Sequence, residues 1–204
     1  MPLIAIGGYY GDALGTIEDE VHFYRDELGL AGVKFKVGGA SPEVDADRVR
    51  RARAASGPDW VIATDANQGW TVPEALDFTR RVADLDIAWL EEPVRWQDDR
   101  RGLRDVRLVG GIPVCAGQSE YSPAGCRDLM ELGAIDYCNF DASWSGGATA
   151  WLRTAAIAHS YGIRVGHHEE PQVSSHLLAS QSHGGYAECF HPDRDPFWWS
   201  LARW

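Results

Sequence analysis

Gly32-Val33-Lys34-Phe35-Lys36-Val37, read with the residues that follow as far as Asp65, decides the fold. The run is apolar except for two lysines spaced two apart, so in a strand both face one side and Phe35 faces the other. Ser41-Pro42-Glu43 then opens a helix that runs through Val44, Val49 and Ala52 and stops at Gly57. Trp60–Thr64 is a second short apolar strand. Strand, helix and strand joined by short connections form a parallel pair covered by a helix.

Reading outward in both directions, the same unit recurs. Further candidate strands are Leu3–Ile6, Ile87–Leu90, Pro113–Ala116, Ile135–Phe140, Ile163–Gly166 and Tyr186–Cys189. Thr16 caps a helix with Val21, Tyr24 and Leu28 on one face. Thr71-Val72-Pro73-Glu74 is a capping box ahead of Ala75, Phe78, Val82 and Leu85. Ser122-Pro123 opens a helix ending at Gly133, and Ala148–Tyr161 forms another. Eight strands predict an α/β fold of the TIM-type (β/α) barrel rather than a doubly wound sheet, and no GxGxxG follows the first strand. With no linker or low-complexity tract, residues 1–204 read as one catalytic barrel domain. A full barrel takes about 250 residues, so the eighth unit is expected to be incomplete, ending in the aromatic tail Phe197–Trp204.

Lys and Arg number 19 against 30 Asp and Glu, a net charge of −11. That balance repels phosphate backbones and anionic lipid, which argues against nucleic-acid and membrane partners. Cys115, Cys126, Cys138 and Cys189 form no CxxC pair and fit neither a zinc site nor a disulfide framework, which points to a reducing cytoplasm. No apolar run approaches the length of a membrane span, and the N-terminus lacks the pattern of a signal peptide.

Barrel enzymes place their chemistry at the carboxyl ends of the strands. Here those ends carry Lys34 and Lys36, Asp65-Ala66-Asn67, Glu91-Glu92-Pro93, Gly117-Gln118-Ser119-Glu120, Asp141, His167-His168 and Glu188. Carboxylates from neighbouring strands meeting at one mouth repel unless a cation lies between them, and oxygen ligands suit Mg²⁺ better than Zn²⁺. A lysine pair on one flank and a histidine with a carboxylate on the other supply base and acid, and positive charge beside a lysine lowers its pKa. Glu92 reads as a supporting carboxylate, and Glu169 and Glu170 as loop acids.

The ordered set Lys34-x-Lys36, Asp65-x-Asn67, Trp89-Leu90-Glu91-Glu92-Pro93, Asp141 with Gly146-Gly147, His168 and Glu188 resembles the mandelate racemase subgroup of the enolase superfamily. The resemblance implies removal of the proton next to a carboxylate, with Mg²⁺ stabilising an enediolate; a Lys or His base with magnesium is the general pattern of that superfamily. It implies metal ligation by Asp65 and Glu91, with Lys36 as base and Lys34 neutralising the substrate carboxylate. Asp141 would fix the tautomer of His168, the acid or base on the opposite face, and Glu188 would hydrogen-bond the developing intermediate. Asn67 would support the metal region and, with Gln118 and His167, line the substrate position.

This sequence departs from the subgroup in two places. The usual third metal carboxylate reads Gln118, so Glu120, two residues on, is the expected third ligand. The subgroup also has an N-terminal capping domain, and this chain begins at the first strand. The expected activity is an acid-sugar dehydratase, a lyase of carbohydrate acid catabolism giving a 2-keto-3-deoxy acid. The same parts permit a racemase or epimerase of a 2-hydroxy acid, and the missing cap raises a third reading, a truncated non-catalytic barrel. The partner is a small carboxylate. Members of the subgroup often assemble, so a homo-oligomer is within what the resemblance implies.

Overall fold

The structure, a computed structural model, describes residues 1–11, 14–196 and 200. The first half comprises β1 (Leu3–Gly7), α1 (Ile17–His22), β2 (Gly32–Lys36), α2 (Pro42–Ser56), β3 (Val61–Asp65), α3 (Val72–Arg81) and β4 (Leu90–Glu91). The second half comprises α4 (Asp99–Gly110), β5 (Val114–Ala116), α5 (Pro123–Glu131), β6 (Tyr137–Cys138), α6 (Gly147–Ser160), β7 (Arg164–Val165), α7 (Pro171–Ala179) and β8 (Ala187–Phe190). Every ladder is parallel, in the order β7-β6-β5-β4-β3-β2-β1-β8. A parallel bridge between Val165 and Gly184 ties β7 to the segment entering β8, which brings the two sheet edges together. This is the TIM-type barrel; the tail at 197–199 and 201–204, expected to replace an eighth helix, lies outside the described residues.

Local chemistry explains the elements. Ser41 accepts a hydrogen bond from Val44 N and Pro42 stands in the first turn of α2, where a missing N–H costs nothing. Thr71 and Glu74 form the reciprocal capping box of α3. The helix begun at Thr16 differs from expectation, because Phe23–Glu27 continues α1 as a wider π-turn. That turn keeps Tyr24 buried, its hydroxyl on Glu20 at 2.8 Å.

Two packing layers follow from the two faces of the strands. Phe35, Ile62, Leu90, Val114 and Cys138 face the helices within the large core. Ile4, Ala63, Trp89, Cys115 and Tyr137 form a second cluster inside the ring, with Tyr186 packed against it. Trp89 stacks on Tyr137 at 5.0 Å and on Tyr186 at 5.9 Å between ring centroids. This aromatic floor positions the site, because one inward step along each strand, two residues further, reaches Asp65, Glu91, Asn139 and Glu188.

Candidate active site

Above the floor lies a layer of buried charge. Lys34, wholly buried, places Nζ 2.5 Å from Glu188 Oε1, 2.8 Å from Glu91 Oε1 and 3.9 Å from Asp65 Oδ2. Lys36 meets Asp65 Oδ2 at 2.5 Å, and the Asn67 backbone N–H donates to Asp65 Oδ1 at 2.9 Å. Asn139 Nδ2 donates to Glu91 Oε1 and Trp89 Nε1 to Glu91 Oε2. Three carboxylates therefore face two ammonium groups. The layer keeps one net negative charge.

Burial disfavours every one of these charges, and their partners decide the outcome. For Lys34, burial pulls its pKa down, but Glu188, Glu91 and Asp65 outweigh it and hold the ammonium well above the ordinary lysine value. Lys36 is likewise depressed by burial but raised overall by Asp65. The lowering expected from its lysine neighbour is thus overridden in this arrangement. Burial raises the Glu91 carboxyl; Asp65 and Glu188, also opposed by burial, are held below the usual range, Asp65 by Lys36 and Lys34 and Glu188 by Lys34 and His168.

The other flank is a histidine pair. His168 Nδ1 lies 2.9 Å from Asp141 Oδ2, and Ser143 donates to Asp141 Oδ1 through both its N–H and its hydroxyl. Burial lowers the His168 pKa, yet Asp141 raises it overall. With Nδ1 committed to Asp141, Nε2 is the ring atom left to exchange a proton; Glu169 Oε1 stands 3.6 Å from it. Trp144, 56% exposed, sits edge-on to this imidazole with centroids 5.6 Å apart. Glu188 links the flanks, since its second oxygen accepts from Glu169 N at 2.8 Å. Beside them opens a cavity of about 600 Å³ lined by Tyr9, Leu14, Glu169, Phe190 and Arg194.

Two expectations require correction. His167 was expected to touch substrate, but it is fully buried with both ring nitrogens occupied. Nε2 accepts from Ala142 N at 3.2 Å, so Nδ1 donates to the His168 carbonyl at 2.8 Å. Glu120 was expected to join Asp65 and Glu91; instead it pairs with Arg100 at 2.8 Å. The reason is local. β5 ends at Ala116, and Gly117 at φ +131° breaks the two-residue alternation that would have put Gln118 and Glu120 on one face. Gln118 is the one left buried, at 5% exposure, with Oε1 unpartnered among the described residues.

Among the described residues one trio places metal-ligating atoms within 4.8 Å of one another: Asp141, His167 and Glu170. Its His167 nitrogens are spent on the backbone and Asp141 already serves His168 and Ser143, so this trio is a poor cation site. Asp65 and Glu91, side by side at the ends of β3 and β4, offer oxygen atoms of the kind a hard divalent ion prefers. Asn139 and Gln68, which donates to Glu92 Oε2 at 3.2 Å, were missed in the sequence. Asn139 carried one readable signal, its place two residues before Asp141, just past the end of β6.

Five of the six non-glycine residues at positive φ among the described residues line this mouth: Asn67, Gln68, Glu92, Glu169 and Glu170. Strain of this kind costs of order 1–3 kcal/mol per residue and collects at functional sites.

Comparison with known proteins finds relatives of this chain. A family model described as enolase C-terminal domain-like matches residues 16–202. Arabinonate dehydratase of Saccharolobus solfataricus is 32% identical over 160 residues, covering 76% of this chain and 42% of that protein. L-Ala-D/L-Glu epimerase of Clostridium acetobutylicum is 35% identical over 140 residues, covering 67% and 38%. The crystal structure of a mandelate racemase/muconate lactonizing enzyme from a marine actinobacterium, in complex with magnesium, superposes with a TM-score of 0.95 at 68% identity. It covers 98% of this chain and 56% of its own. The chain thus spans about two fifths of these curated relatives and somewhat over half of the solved protein.

Proposed function

Because the chain belongs to the enolase C-terminal domain-like family, we propose that it dehydrates an acid sugar, an aldonate or aldarate, at a magnesium centre. The observation that carries this reading is the pairing of two proton carriers around one carboxylate layer: Lys36 on Asp65, and His168 held by Asp141. Asp65 and Glu91 would hold the cation. When bound, it supplies positive charge to the substrate carboxylate and competes with Lys36 for Asp65, which lowers the lysine's pKa toward that of a working base.

Lys34, expected to neutralise the substrate carboxylate, is wholly buried on Glu188, Glu91 and Asp65 and would instead balance the charge of that layer. Lys36 or His168 takes the proton from C2, and the freed electron pair forms the C2–C3 double bond as the 3-hydroxyl departs. His168 Nε2 gives that hydroxyl the proton it needs to leave as water, and the resulting enol tautomerises to the 2-keto-3-deoxy acid. Asp141 keeps Nε2 oriented throughout, and Trp144 and Tyr9 wall the approach.

The test is a panel of acid sugars incubated with the chain and Mg²⁺, with keto acid as the readout. Turnover is expected, and Lys36→Ala and His168→Ala are each expected to lower it by about 10²-fold or more. Full activity in both variants overturns the assignment. The similarity to an epimerase supports a second reading, racemisation or epimerisation by the same pair. Solvent deuterium at C2 without keto acid would select it. No magnesium-dependent turnover or exchange with any acid would favour a non-catalytic barrel.

A further inference from the structure

We propose that the cation centre is completed by the side-chain oxygen of Gln118, giving two carboxylates and one carboxamide from the ends of β3, β4 and β5. The proposal rests on the magnesium reading above and departs from the three-carboxylate pattern.

The first observation is the orphaned atom. Gln118 Oε1 is buried and accepts no hydrogen bond among the described residues. A buried acceptor left so is costly, and coordination removes the cost. The second is placement. β3, β4 and β5 are consecutive in the sheet; Asp65 pairs in register with Glu91, and Glu91 with Cys115. Gln118 stands just past the Gly117 bend at the end of that third strand. The bend is itself tied to the site, because Gly117 N donates to Glu92 Oε1 at 3.2 Å.

The third observation disposes of the competing acid. Glu120 is held by Arg100, its backbone carbonyl accepts from Ser145 Oγ at 2.7 Å, and its carboxylate lies where a Cβ on Gly125 would collide with it. It therefore packs against the first turn of α5. Leaving that position would give up the Arg100 pair, leaving that guanidinium to Asp99 and solvent.

Magnesium accepts carbonyl oxygens as ligands, and its affinity for a site is tuned by the number of charged ligands. With an amide in place of a carboxylate, the centre holds Mg²⁺ weakly and loads only at high free metal.

Direct titration of the chain with Mg²⁺ by calorimetry, cross-checked with Mn²⁺ by paramagnetic resonance, tests this without reference to turnover. Gln118→Glu is expected to tighten Mg²⁺ binding by about tenfold or more, Gln118→Leu to weaken it by about tenfold, and Glu120→Gln to stay within about twofold. Binding by Gln118→Leu equal to the parent, with Gln118→Glu no tighter, overturns the proposal. So does a loss in Glu120→Gln as large as that in Asp65→Asn. The magnesium reading fails separately: metal uptake by a folded chain that is unmoved by Asp65→Asn, or uptake absent in parent and Gln118→Glu alike, sinks both. Loss in Asp65→Asn with Gln118→Leu unaffected sinks only the amide ligand. Gln118→Glu needs no loss of fold to be informative, because its expected effect is a gain.

Discussion

Glu92 is a buried carboxyl beside a buried carboxylate. Burial pushes it up to about 8, against the pull of the Gly117 and Gln68 hydrogen bonds. Its folded pKa thus exceeds the unfolded value of about 4.3. The stability it contributes is complete below about pH 4.3 and is lost as pH rises through about 8. In the presence of EDTA, Glu92→Gln is expected to flatten the fall in melting temperature between about pH 6 and pH 9. An unchanged slope in the variant would assign that fall to other groups. At this scale the sequence was most legible where charge stood in apolar surroundings: Lys34, Lys36, Asp65, Glu91, Asp141, His168 and Glu188 all announce themselves that way. Asn139 and Gln68 carry no charge to stand out, and Glu120 misled because alternation was extended past a glycine that ends it.

Several helices of the fold were read from their caps, and a cap contributes part of a helix's stability. In α3, Thr71 N donates to Glu74 Oε2 at 2.8 Å and the Thr71 hydroxyl meets the same oxygen at 2.7 Å. Thr71→Ala is expected to cost about 1 kcal/mol in denaturant unfolding, with the slope unchanged. An effect near zero would mean that packing of Ala75 and Phe78 alone fixes this helix. α4 and α7 were not read as helices: α7 starts at Glu170 without a side-chain cap, and in α4 the apolar stripe through Leu103 and Val106 was overlooked. The strands show the opposite failing. Apolar runs such as Ile135–Phe140 were longer than the paired segment Tyr137–Cys138, since Ile135 and Phe140 are buried by helices whether or not their backbones join a ladder.

For the molecule as a whole, the consequence of the charge layer is that folding and cation binding are linked. A ligand held only by the folded state at a hundredfold excess over its dissociation constant adds about 2.7 kcal/mol. In a chain of this size that is a rise in melting temperature of roughly 5–10 °C. Saturating Mg²⁺ is expected to produce it, and Asp65→Asn to remove it; an equal rise in the variant would place the ion elsewhere. The barrel itself was legible from one repeated unit, but the join between β7 and the approach to β8 was not, because it rests on a single bridge at Val165 and Gly184. The left-handed residues around the mouth carry a further meaning. Asn67, Gln68, Glu92, Glu169 and Glu170 take conformations that side chains resist, so the surrounding structure must hold each of them in place. The strain at that rim is then offset before any guest arrives, and a guest that fits these conformations need not spend binding energy imposing them.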